Sequence, residues 1–207
     1  MTKGFCIAYD VGDSLYLNIT NRCSNSCDFC IRNNGDGAYG SDSLWLSREP
    51  LVSEIYDAIE ARNLNKYKEL VFCGYGEPCE RLYDMLEVCR SVKAKYDIPI
   101  RVNTNGQANL IFGKDTTSEF SGAVDTVSIS LNAADGEKYD AICHSRYGVA
   151  AFDAILDFAE KVKNYVQNVA FSVVDASLSA EEIEKCREIS SRLGITLRVR
   201  EYIGAEN

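Results

Sequence analysis

Apolar and polar residues alternate along several short runs of this chain. Leu15, Leu17 and Ile19 alternate with Tyr16, Asn18 and Thr20, and Val127, Ile129 and Leu131 with Ser128, Ser130 and Asn132. Ile100 and Val102 alternate with Arg101, Asn103 and Asn105, and Leu197 and Val199 with Arg198, Arg200 and Tyr202. A period of two marks a β-strand, whose successive side chains point to opposite faces. The pattern predicts core strands at 15–20, 69–73, 100–104, 126–131, 169–175 and 196–202. Helical stretches at 50–62, 81–96, 135–143, 149–165 and 180–193 separate them, with Pro50 suited to a first turn. A further strand at 5–9 is expected to form a hairpin with the first core strand across 10–13. The Gly/Asn/Asp/Ser-rich segment 33–47 reads as a long loop, ordered or partly mobile.

Strands alternating with helices imply a parallel sheet with right-handed crossovers. Six core strands are too few for an eight-stranded barrel. The expected fold is therefore α/β: a partial (β/α)6 barrel, an open, curved parallel sheet with helices outside, in one domain over 1–207. Parallel strands covered on both faces usually read as continuous apolar runs. These do not. The apolar set should pack under the helices, and the polar set, with its arginines, serines and asparagines, should line a ligand cavity. The alternative is a sheet with one solvated face, which parallel sheets rarely leave bare.

Composition narrows the class. The 207 residues are 46% hydrophobic and 26% charged, ordinary for a globular protein with a real core. The net charge of −9 argues against nucleic acid as a partner, because non-specific binding needs a basic surface. An anionic ligand must then be caught by a few local cations. No apolar run reaches the length of a membrane span. Met1-Thr2-Lys3-Gly4-Phe5-Cys6 carries no signal pattern, so a cytoplasmic location is expected.

The chemistry is concentrated at Cys23-Ser24-Asn25-Ser26-Cys27-Asp28-Phe29-Cys30, just after the first core strand. Three thiolates this close can converge on one metal centre. A four-iron cluster held by three cysteines keeps one iron open for a substrate or cofactor. A structural zinc site would need a fourth ligand, a distant cysteine or the single histidine, His144, and usually comes as two short pairs. A disulfide framework fits poorly with nine cysteines, an odd number, and no secretion signal. Cys89 and Cys186 fall in helices and read as buried small hydrophobes. Cys73 and Cys79 flank a Gly-Glu-Pro loop, too few for a second cluster. His144 reads as a surface or loop histidine. Trp45 is placed either to anchor the core or to stack on a planar substrate.

The spacing C-x3-C-x2-C with aromatic Phe29 before the last cysteine resembles the signature of the radical S-adenosylmethionine (SAM) superfamily. Gly74-Tyr75-Gly76-Glu77-Pro78, after the second core strand, is similar to that family's Gly-Gly-Glu-Pro motif, with Tyr75 in place of the first glycine. The resemblance implies a [4Fe-4S] cluster on Cys23, Cys27 and Cys30, with the open iron binding the amino and carboxylate groups of SAM. It implies cofactor contacts from Phe29, Gly74, Tyr75, Gly76 and Glu77, the last to the SAM ammonium. Asn105, Ser128 and Ser130 would reach the ribose and carboxylate, and the backbone at Tyr202-Ile203 the adenine. The chemistry so implied is one-electron cleavage of SAM to methionine and a 5′-deoxyadenosyl radical, with an electron donor such as flavodoxin or ferredoxin.

Stretches 72–81 and 125–158, including Cys143-His144-Ser145-Arg146-Tyr147-Gly148, also resemble the small TatD-linked radical SAM family. That resemblance implies a queuine lyase, which releases queuine from queuosine 5′-phosphate in queuine salvage. A small, anionic, nucleoside-like substrate is expected on Arg32, Asn132, Arg198 and Arg200, with Arg101 a further inward cation. The arginines could instead pair with inward or rim carboxylates. Two other classes compete: a radical SAM activase acting on a protein partner, and a non-catalytic iron–sulfur electron carrier. A carrier would want four cysteine ligands and has no use for the Gly-Glu-Pro loop.

Overall fold

A computed structural model describes residues 4–202 and 204. Seven strands form one sheet in the order β1 to β7. The first two, β1 (Ala8–Val11) and β2 (Ser14–Leu17), are an antiparallel hairpin turning at Gly12, where φ is +55°. From β2 onward all neighbours are parallel: β3 (Glu69–Phe72), β4 (Ile100–Thr104), β5 (Thr126–Ser130), β6 (Asn168–Val174) and β7 (Thr196–Arg200). In the sheet order β1 and β7 are the two ends, so this is an open partial barrel of six parallel strands with one antiparallel strand added.

The helices are α1 (Val52–Glu60), α2 (Leu82–Lys95), α3 (Ala108–Phe112), α4 (Gly136–Cys143), α5 (Ala150–Val162) and α6 (Ala180–Leu193). Their ends follow local chemistry. Asp135 caps α4 by accepting from the Lys138 N–H. Ser179 and Glu182 form a reciprocal capping box on α6, and Gly194 ends it at φ +64°.

The two-residue alternation sorts side chains as the sequence predicts. Leu15, Leu17, Leu70, Phe72, Ile100, Val102, Val127, Ile129, Phe171 and Val173 are buried in one core with the inner faces of the helices. Each such side chain contributes roughly 1.5–3 kcal/mol on burial. Glu69, Arg101, Asn103, Ser128, Ser130, Ser172, Arg198 and Arg200 occupy the opposite register. The hairpin is shifted: its first strand is Ala8–Val11 rather than 5–9, and β2 ends at Leu17. Beyond β2, Asn18 leaves the strand to pin loops, donating to the Cys6 and Leu44 carbonyls at 3.1 and 2.8 Å. The last strand departs from expectation too. Leu197 packs on the core, but Val199 stays 39% exposed, because β7 is an edge strand.

The long loop over 33–47 lays Ala38 and Leu44 against Tyr9 and Tyr75, making a second small core that Trp45 and Tyr16 join. Trp45 meets Tyr75 edge to face at 5.1 Å. Of its two expected roles, Trp45 takes the anchoring one. Among the described residues, no helix is long and apolar enough to cross a membrane.

Candidate active site

The cysteine loop follows β2 at the carboxyl ends of the parallel strands, where ligand sites of open α/β sheets lie. Cys23, Cys27, Phe29 and Cys30 are all half-buried on it. Burial, then the nearby Glu77 carboxylate, pushes the Cys23 thiol up to about 12. Cys30 is raised by burial, against the pull of Arg32. Cys27 is raised by the neighbouring Cys143 side chain and by burial. Among the described residues, no three His, Cys, Asp or Glu side chains sit at the spacing of a single metal ion. A four-iron cube takes its thiolates on separate iron atoms, and so wants a wider set than one zinc with ligands about 2.3 Å away.

Several neighbours hold this loop. Ser26 and Asp28 donate their N–H groups to the Cys143 and Ile142 carbonyls at 2.9 and 3.0 Å, and the Arg146 N–H donates to the Ser24 carbonyl at 2.9 Å. Asn105 Nδ2 donates to Ser24 Oγ at 2.7 Å. Gln107, fully buried, donates from Nε2 to Asn25 Oδ1 at 2.9 Å and to Tyr139 Oη at 3.0 Å, and Asn25 Nδ2 donates to Tyr139 Oη at 2.8 Å. The tract 143–148, picked out in the sequence only by resemblance, is thus the outer clamp of the cysteine loop. His144 is exposed, as expected, and its Nε2 meets Asp28 at 2.7 Å. Gln107, Asn25 and Tyr139 escaped the sequence reading because partners more than thirty residues apart leave no local signal.

The Gly-Tyr-Gly-Glu-Pro loop packs directly on this assembly. A Cβ on Gly76 would overlap the Thr20 carbonyl, and one on Gly74 would overlap the Asn18 amide. The glycines serve close approach of the two loops. Tyr75 does not face a ligand with its ring: it is 2% exposed, and Oη donates to the Gly35 carbonyl at 2.9 Å. Glu77 is buried, and its carboxylate accepts from the Cys79 N–H at 2.9 Å, Thr104 Oγ1 at 2.7 Å and the Asn105 N–H at 2.6 Å. Burial raises its pKa, and these donors oppose the rise.

The inward arginines divide into two groups. Arg101 pairs with Glu69, Nη2 to Oε1 at 2.7 Å, and also donates to Asn103 at 2.9 Å and to the Tyr16 hydroxyl at 3.2 Å. Burial would raise Glu69, but Arg101 holds it below its usual value. Arg101 is therefore a neutralised strut in the barrel floor, which corrects its expected role as a free anion receptor. Arg32 donates to the Asn25 carbonyl at 3.2 Å, so it also braces the cysteine loop. Arg198 and Arg200 are exposed on β7, and among the described residues neither forms an ion pair.

Ser128 is 8% exposed, with Ser130 more open. Asn132 is 4% exposed at φ +56°, and its Oδ1 has no partner. A buried orphan acceptor in an unfavourable backbone region is the kind of group that a ligand completes. Beside the cysteine loop, a cavity of about 270 Å³ is lined by Asp28, Phe29, Ile142, Ala176, Ser177 and Tyr202. Tyr202 Oη reaches Asn34 Oδ1 at 3.3 Å. Ile203 lies outside the described residues.

Over residues 17–189 the chain matches the Radical SAM superfamily. The chain belongs to this superfamily. Its cofactors are a [4Fe-4S] cluster and SAM. The donor set fits them: three thiols share one loop, Asn132 with its orphan acceptor bonds to Cys143, which pairs with that loop, and a cavity bordered by Phe29 and Tyr202 adjoins it. The chain is 25% identical over 190 residues to a probable GTP 3′,8-cyclase of Thermococcus kodakarensis, covering 91% of this chain and 56% of that protein. It is 24% identical over 198 residues to the GTP 3′,8-cyclase of Staphylococcus carnosus, covering 93% and 55%. The chain spans little more than half the length of these relatives. Among solved structures, Streptococcus suis SuiB bound to S-adenosylmethionine superposes with a TM-score of 0.62 at 17% identity, over 94% of this chain and 39% of that one. Native anSMEcpe with bound AdoMet gives 0.62 at 18%, over 91% and 51%. These likenesses confirm the partial-barrel fold.

Proposed function

We propose that this protein is a radical SAM enzyme acting on a small phosphorylated nucleoside, with queuosine 5′-phosphate as substrate and queuine as the released base. In this reading Cys23, Cys27 and Cys30 hold the cluster, which leaves one iron for SAM. When bound, the cluster and SAM together supply a 5′-deoxyadenosyl radical that takes one hydrogen atom from the substrate. The protein contributes placement and exclusion of water. Phe29 and Tyr202 border the cavity beside the cysteine loop and offer flat apolar surface to adenine. Glu77 offers its buried carboxylate to the SAM ammonium. Asn105, Ser128 and Ser130 serve the SAM ribose and carboxylate in this reading, and Asn132 the substrate.

The observation that carries the substrate class is the pair Arg198 and Arg200. Both lie in the inward register of β7, and Arg101, the other inward cation, is already neutralised. SAM brings one carboxylate, so two free guanidinium forks leave capacity for a phosphate. The names of the curated relatives, GTP cyclases, favour a phosphorylated purine-type nucleoside, and queuine is a deazaguanine of the same shape. The likeness of 72–81 and 125–158 to TatD-linked proteins favours queuosine 5′-phosphate within that class. The electron comes from a flavodoxin or ferredoxin type donor.

The test is an anaerobic assay with reduced, reconstituted protein and SAM, offering queuosine 5′-phosphate, queuosine and GTP separately. Queuine and 5′-deoxyadenosine are expected from the first. Turnover of GTP alone would replace the lyase with a cyclase-type reaction on the same scaffold. No 5′-deoxyadenosine with any nucleotide would remove the substrate class.

A further inference from the structure

We infer that Tyr16 and Asn103, both held by Arg101, form a hydrogen-bond donor face on the barrel floor that reads the base of the substrate, accepting a 6-oxopurine-type carbonyl and refusing a 6-amino group. The inference rests on the reading of the substrate as a phosphorylated nucleoside. Tyr16 on β2 and Arg101 on β4 stand in one register, each paired with Val71 of the strand between them. Val71 is fully buried, and Arg101 reaches across it to the Tyr16 hydroxyl, Nη2 to Oη at 3.2 Å. The other terminal nitrogen, Nη1, donates to Asn103 Oδ1 at 2.9 Å. Glu69 fixes the guanidinium along its Nε edge, accepting from Nε at 3.0 Å and from Nη2 at 2.7 Å. Tyr16, Arg101 and Asn103 lie on inner strands of the sheet, yet all three stay only half-buried, so this floor is open to a ligand.

A guanidinium has only donors. It therefore meets the oxygen of Tyr16 and the oxygen of Asn103, and their own hydrogens turn elsewhere. Burial raises the Tyr16 pKa against the pull of Arg101, so the hydroxyl keeps its proton. Among the described residues no acceptor takes that proton. Asn103 Nδ2 carries two hydrogens, and even with one turned to the Cys73 thiol beside it, the other is left. Arg101 thus presents two donors in place of its own charge, which Glu69 cancels. Such a face suits a neutral acceptor, and a carbonyl oxygen has two lone pairs for two donors. An exocyclic amino group sets donors against donors and leaves them unpaired, which is costly for the wrong base. Arg198 and Arg200 stand across the sheet on β7, with Ser128, Ser130 and Ser172 in the inward register between. A nucleotide has the matching polarity, anionic at the phosphate and neutral at the base.

The reconstituted protein with SAM tests this by calorimetric titration with inosine 5′-monophosphate and adenosine 5′-monophosphate, which differ at the 6-oxo and 6-amino position. The parent is expected to bind the 6-oxo nucleotide about tenfold more tightly. Tyr16→Phe keeps the ring beside Tyr9, with centroids 5.5 Å apart, and is expected to remove most of that preference by weakening the inosine nucleotide alone. Asn103→Asp keeps an oxygen on Arg101 and replaces the amide donor with an acceptor, so the preference should move towards the amino nucleotide. Arg198→Ala should weaken both nucleotides alike and keep the preference. Equal affinity of the parent for the two nucleotides overturns the inference while the nucleotide reading stands. Equal weakening of both by Tyr16→Phe, the mark of a packing role, or an unchanged preference in Asn103→Asp overturns it too. Should Tyr16→Phe not fold, Asn103→Asp decides. Binding of neither nucleotide removes the nucleotide reading, and the inference with it.

Discussion

Thr104 Oγ1, at the end of β4, donates to Glu77 Oε1, on the loop after β3, at 2.7 Å. With the Asn105 and Cys79 N–H groups, this makes Glu77 a pin between two strand ends as well as a candidate SAM ligand. The two roles separate by mutation. Glu77→Ala strands three buried donors and should cost on the order of 3 kcal/mol in stability. It should also weaken SAM binding about ten- to a hundred-fold, the range for a charged hydrogen bond. Thr104→Val removes one of the three donors to Glu77 and also the acceptor of the Gly106 N–H. It should lower the unfolding midpoint while leaving SAM affinity within about twofold. Calorimetric titration of SAM alongside denaturant unfolding checks both. Equal loss of affinity in the two variants would make Glu77 a structural residue alone.

The buried Gln107 links Asn25 in the cysteine loop to Tyr139 in α4. Gln107→Leu keeps the volume but leaves Asn25 Oδ1 and the Ser145 hydroxyl without their partner. The expected cost is about 1–3 kcal/mol. It should be local: faster amide exchange over 23–30, faster iron release to a chelator, and little change in exchange across β3 to β6. Uniformly faster exchange throughout the sheet would show that Gln107 supports the whole fold rather than the loop.

What the sequence made legible follows the range of each interaction. The alternation in 100–104 and 126–131 is a local property of sheet faces, and those strands sit where it placed them, the second ending at Ser130. The cysteine motif is also local, and its loop lies at the strand ends as expected. Side-chain partners are not local. Nothing around Arg101 shows that Glu69, 32 residues away, neutralises it. The motif resemblance counts Tyr75, and a place in a polar loop counts Trp45, as possible ligand contacts, although the fold turns them into the core of the long loop. Edge position matters likewise: Val199 has the same pattern as Val102, but no neighbouring strand follows β7.

Metal uptake should depend steeply on pH. In the metal-free loop, burial raises the Cys23 thiol to about 12 and raises Cys30, and the Cys143 side chain together with burial raises Cys27. All three are protonated at neutral pH, and iron binds thiolates, so cluster assembly must release protons. Each thiol that binds while still protonated makes apparent affinity rise about tenfold per pH unit, up to the raised pKa. The sign is fixed: affinity falls as pH falls. Cobalt(II) titrations between pH 6.5 and 8.5, read by thiolate-to-metal absorption, should show this slope. Ala at Cys23, Cys27 or Cys30 should flatten it and abolish the [4Fe-4S] spectrum. A triple variant that keeps the spectrum would remove the ligand assignment.

Arg198 and Arg200 should discriminate phosphate, and Arg101 should not. The first two are exposed in the inward register of β7, without an ion pair among the described residues. Arg101 is committed to Glu69 at 2.7 Å and to the Tyr16 hydroxyl. A guanidinium–phosphate contact in a partly solvated site contributes about 1.5–3 kcal/mol. Arg198→Ala or Arg200→Ala should therefore raise KM for a phosphorylated nucleoside about ten- to a hundred-fold. KM for the dephosphorylated form should change little, and kcat should change little for either. Arg101→Ala leaves Glu69 uncompensated on the barrel floor, so its effect should fall on stability and on both nucleosides alike. Steady-state kinetics with matched pairs of substrates read the difference directly. Equal effects of Arg198→Ala and Arg200→Ala on both forms would remove phosphate as their ligand. Discrimination by Arg101→Ala instead would move the anion site to the barrel floor and show that the Glu69 pair opens when substrate binds.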